Sequence, residues 1–106
     1  MAKYLVLASY SAEGIKGVVK TGGTARRDAV KAAVESAGGT MESFYFAFGE
    51  HDAYVTVDLP DNTAAAALDL AVSSTGLAST RTVVLLTPSE IDAAAKQQVG
   101  YTPPGS

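Results

Sequence analysis

One histidine, two adjacent arginines and five tyrosines carry most of the chemistry open to this 106-residue chain. His51 stands between Glu50 and Asp52 in the stretch FGEHDAYVTV. An imidazole with an unperturbed pKa near 6.5 can serve as a general base when a carboxylate orients it, or as a metal ligand. Three consecutive side chains in a tight turn do not converge on one point, so a metal here would need ligands from distant residues or from a second chain. The reading favoured is a polar hairpin turn. Gly49 supplies backbone freedom and Asp52 a local backbone hydrogen bond, which leaves Glu50, His51 and Asp52 a secondary role toward any ligand.

Arg26 and Arg27 follow Thr21-Gly22-Gly23-Thr24 at the start of a helical stretch, where positive charge opposes the helix dipole. With outward-pointing amides they could hold a phosphate or carboxylate. The segment matches neither a Walker loop nor a dinucleotide fingerprint, so the weight falls on a solvated helix start. Ser9, Ser11 and Ser43 have no base close in sequence and no G-x-S-x-G elbow surrounds them, which argues against hydrolase chemistry. Tyr10, Tyr45, Tyr54 and His51 would form the polar wall of a pocket between sheet and helices if the chain acted on a small aromatic or acidic molecule.

The inventory removes several classes at once. With no cysteine there is neither a disulfide nor a thiolate site. A net charge of -3 and a pI near 4.9 leave no cationic excess for nucleic acid or an anionic membrane. The opening Met-Ala-Lys runs into the apolar YLVLASY, which is too short to span a bilayer and has no cationic leader before it. A cytoplasmic protein without cofactor or resident metal is the expectation.

These groups must be positioned by elements that punctuation marks out clearly. KYLVLASY has strand composition, Ser11 is placed to cap a short helix AEGIKGVV, and Thr21-Gly22-Gly23 breaks it. A second helix, TARRDAVKAAVESAGG, carries Ala29, Val30, Ala33 and Ala37 on one stripe and stops at Gly38-Gly39. TMESFYFAF and AYVTVDLP alternate with period two about the Gly49 to Asp52 turn. Asp61 or Asn62 caps TAAAALDLAVSS, STRTVVLLTP is a fourth strand, and Ser89 opens a last short helix. The order β, α, β, β, α, β is that of an α+β, ferredoxin-like domain: a four-stranded antiparallel sheet with helices on one face. Residues 1–100 read as one domain and 101–106 as a flexible tail.

Alternation assigns Leu5, Leu7, Phe44, Phe46, Phe48, Val55, Val57, Leu59, Val83 and Leu85 to the helix-covered core. It leaves Tyr4, Val6, Ala8, Tyr10, Met41, Ser43, Tyr45, Ala47, Tyr54, Thr56, Thr80, Thr82, Val84 and Leu86 on the other face. That second face is too apolar to be left in water. A second copy of the chain, a small ligand or both would cover it, and a homodimer or higher closed oligomer is expected.

The opening YLVLASYSAEGIKGV, the helix ending in ESAGG, the region FYFAFGEHDAYVTVDLPD, the alanine-rich helix and the closing TRTVVLLTPSE together resemble the GYD domain family. The resemblance implies a small bacterial protein of the dimeric α+β barrel type with no agreed activity. Where the family shows Gly-Glu-Tyr-Asp, this chain has Gly49-Glu50-His51-Asp52, so no mechanism that needs the tyrosine hydroxyl runs unchanged here. An oligomeric module that binds a small molecule or a partner follows as the first reading. A small cofactor-independent enzyme, monooxygenase-like or isomerase-like, is the second.

Overall fold

The computed structural model describes residues Met1–Ser106. The elements are β1 (Ala2–Tyr10), α1 (Ala12–Thr21), α2 (Gly23–Ser36), β2 (Thr40–Phe46), β3 (Ala53–Leu59), α3 (Asn62–Ser73), β4 (Ala78–Leu85) and α4 (Pro88–Ala95). The four strands form one antiparallel sheet in the order β2-β3-β1-β4, with helices packed on one face, as the element order predicts for a ferredoxin-like domain.

Local chemistry sets the ends of these elements. The Ser11 side chain accepts the Gly14 amide at the start of α1, and Asp61 accepts the Ala64 amide at the start of α3. Gly22, at φ +92°, turns the chain between α1 and α2, a conformation that a Cβ would strain. The last helix starts one turn feature earlier than expected. Thr87, not Ser89, is its cap, in a reciprocal capping box with Glu90, and Pro88 occupies the first turn, where its missing N–H costs nothing.

The assignment of faces is half right. On β2 and β3, Phe44, Phe46, Val55, Val57 and Leu59 lie on the helix side as expected. On β1 and β4 the two faces are exchanged. Tyr4 pairs with Val57, Val6 with Val55 and Ala8 with Ala53, so the even residues of β1 share the helix side. Thr80, Thr82 and Val84 of β4 pair with Ala8, Val6 and Tyr4 and follow them. Leu5, Leu7, Val83 and Leu85 therefore sit on the uncovered face. Met41 also changes sides, because a bulge at Glu42 inserts one residue between it and Ser43. Phe48 belongs to neither face: it lies in the β2–β3 loop, fully exposed.

The core is built from Tyr4, Val34, Val55, Val57, Leu59 and Ala65. Tyr4 is 1% exposed, and its hydroxyl is satisfied by donating to Asn62 Oδ1 at 2.6 Å. Residues 86–106 are exposed throughout, α4 included, so the chain ends in an arm that leaves the domain. The radius of gyration is 16.9 Å, against about 13 Å for a compact chain of this length. The accessible surface is 7136 Å², against about 5,500 Å² for a monomer of this mass. No helix is long and apolar enough to cross a membrane.

Candidate functional site

α2 rests chiefly against β2 and α3 against β4. The small residues of both helices leave the middle of the sheet incompletely filled. An inner chamber of about 100 Å³ lies over Val6, Ala8, Val55 and Val57, bounded by Val34 of α2 and Ala65 of α3. A wider cleft of about 600 Å³ runs outward between α1, α2 and α3. Tyr10, Arg26, Ala29, Ala33, Leu68 and Val72 line both spaces, so the two adjoin.

Their walls are apolar except for a few side chains. Arg26 leans over Tyr10: its Nε donates to the Tyr10 hydroxyl at 3.1 Å, and its guanidinium carbon lies 5.4 Å from the ring centroid. Its two terminal nitrogens donate to no protein acceptor, and no carboxylate lies within salt-bridge distance. In the wall of the chamber, the half-buried Asp69 of α3 accepts hydroxyl protons at Oδ1 from Thr80 and, at 3.3 Å, from Ser73. Its Oδ2 has no protein donor. The chamber thus holds one cation and one anion, unpaired with each other, and the outer cleft adds Glu13, which pairs with Lys16.

The residues expected to share a site are divided by the sheet. Tyr10 faces the helices and meets Arg26, whereas Tyr45 and Tyr54, paired across β2 and β3, face the uncovered side. Arg27 points away from Arg26 and pairs with Asp28 at 3.0 Å on the surface. His51 packs edge-on to Tyr54, with ring centroids 6.0 Å apart, and its Nδ1 lies 3.4 Å from Ser9 Oγ. Asp52 does not orient that imidazole. Its carboxylate accepts the Tyr10 amide at 2.8 Å while its own amide donates to Ala8 at 2.9 Å, so it prolongs the β1–β3 ladder beyond the last paired residues. Glu50 is exposed. Without an acid behind the histidine, Ser9 and His51 form no triad. No three His, Asp or Glu side chains converge as metal ligands would.

The uncovered face is amphipathic. Leu5, Leu7, Val83, Tyr45 and Tyr54 form its apolar middle, and Lys3, Glu42 and Asp58 its charged end. Lys3 is ion-paired with Glu42 and, at 3.2 Å, with Asp58; the Glu42 hydrogen bond first, and then Asp58, hold its ammonium above the ordinary lysine value.

Asp69, Thr80 and Ser73 escape a sequence reading that looks for clusters. The available signal was the single acid in the apolar run AAAALDLAV, a position where a charge has no reason to sit unless something polar faces it.

Fold and cleft together define a small α+β domain with a helix-roofed apolar opening and one bare face. The chain belongs to the GYD domain family, whose description matches residues 4–95, from within β1 to the end of α4. Neither a curated protein nor a solved structure matches it.

Proposed function

We propose that this GYD-domain chain is a homo-oligomeric module that takes up a small, largely apolar molecule between its helices and its sheet. The observation that carries the reading is the pair of adjoining spaces, chamber and cleft, above Val6, Ala8 and Val55, lined by alanines and valines in a domain that has large side chains to spare for its outer face. Apolar clefts with a few convergent polar groups are the usual form of small-molecule sites. Assembly is supported separately. The roughly 1,600 Å² of surface beyond that of a compact monomer is about twice the ~800 Å² that each partner gives to a standard protein interface, and the C-terminal arm contributes part of it.

The enzymatic alternative has less to rest on. The one pair suggestive of nucleophile and base, Ser9 and His51, lies across the sheet from the cleft and lacks an orienting acid. Fluorobenzene followed by ¹⁹F NMR tests the reading. It should bind the native chain and fail to bind Ala33→Leu, in which three added carbons fill the junction of chamber and cleft. Equal binding to both proteins would remove the cleft as the site.

A further inference from the structure

Resting on the reading of the cleft as a ligand site, we infer that its ligand is a small ring compound with an acid at one end and a hydrogen-bond donor at the other. The acid meets Arg26 and the donor meets Asp69. The half-buried Arg26, which lines both spaces, is anchored through Nε by the Tyr10 hydroxyl, and the fork of its two terminal nitrogens is left without a protein acceptor. That fork matches a carboxylate in two-point geometry. Asp69 is held by Thr80 and Ser73 through Oδ1 alone, so Oδ2 remains an acceptor without a donor. An ion pair between the two would satisfy both, yet they stand too far apart to form one. A molecule between them restores what each lacks.

The shape of the opening sets the order of the groups. A chamber of about 100 Å³ is smaller than the roughly 150 Å³ that admits benzene in an engineered core. A six-membered ring therefore enters with one edge in the chamber and the other in the wider cleft. Arg26 and Tyr10 line both spaces, whereas Asp69 and Thr80 line the chamber alone. The acid consequently stays at the junction and the donor leads inward, among Val6, Val55 and Val72, where the walls exclude water and a lone polar group would be costly.

The test is a matched series titrated by calorimetry and ligand-observed NMR: 4-hydroxyphenylacetate, phenylacetate, 4-hydroxyphenylacetamide and fluorobenzene. The acid should bind roughly tenfold more tightly than its amide, and the hydroxylated acid several-fold more tightly than phenylacetate. Arg26→Gln should abolish the preference for acid over amide, and Arg26→Lys should keep part of it. Asp69→Asn should abolish the advantage of the hydroxyl alone. Melting curves confirm that each variant is folded. Equal affinity for acid and amide, with fluorobenzene still bound, would overturn the ligand class and spare the cleft. Binding of none of the four would overturn both.

Discussion

The two faces of this sheet are built from nearly the same apolar stock and meet opposite fates. On the helix side, Tyr4, Val57 and Leu59 are sealed under α2 and α3. On the other, Leu5, Leu7, Val83 and Tyr45 have no cover within the chain, and Tyr45 is 71% exposed. The contrast teaches that hydrophobicity alone does not select the core of a strand whose residues are apolar on both sides. Partner strands and the reach of the helices select it.

The contrast is easiest to break with one residue type on both faces. Leu59→Ala should cost about 2–5 kcal/mol, because the side chain is wholly buried and the cavity collapses only in part. Leu5→Ala, in dilute protein, should cost about 1 kcal/mol, since that side chain keeps contact with water. Denaturation midpoints decide the matter: a larger loss for Leu5→Ala would mean that the faces are exchanged, and equal losses that both are covered.

Tyr45→Glu sharpens the comparison without touching the core. If the proposed oligomer forms through this face, a carboxylate in its apolar middle should leave the fold intact and reduce the assembly to a chain of monomer mass at about 10 μM by light scattering. An unchanged oligomer would place assembly on another surface.

The smallest effect belongs to the turn. His51→Tyr introduces the residue that family resemblance leads one to expect, at a half-buried position whose only side-chain hydrogen bond is the long one to Ser9. Thermal unfolding should shift by no more than about 0.5 kcal/mol in stability, with fluorobenzene binding unaltered because the cleft lies on the other side of the sheet.

Much of the architecture was legible in the residues, and the reason is locality. Ser11, Asp61 and the glycine stops act within a few residues of themselves, so element order and topology follow from short windows. The orientation of β1 was not legible, because Tyr4, Leu5, Val6 and Leu7 offer no alternation to read and the register with Val55 and Val57 is settled 50 residues away. The candidate site divides in the same manner. Arg26 and Tyr10 stood out by type, and their contact across α2 and β1 did not. Asp69 gains meaning only beside Thr80, from a strand later in the chain. The approach of Ser9 to His51 likewise arises from strand pairing, through β1 and the residues leading into β3.

Glu42 carries a consequence out of proportion to its chemistry. One supernumerary residue in β2 inverts the parity of everything before it, so that Met41 joins Phe44 under the helices although three positions separate them. Deleting that residue would leave every face as it is, with Met41 still opposite Val57 and Thr40 opposite Asp58 in an unbroken ladder; flattening the bulge with the residue retained would instead surface Met41, turn Thr40 inward and displace Gly39, whose backbone lies too close to Asp58 and Leu59 for a Cβ. The strand therefore has a reading frame, and the bulge is the punctuation that lets it carry one residue more than its partner without a frameshift, while the loop at 48–50 can lengthen or shorten without altering any face.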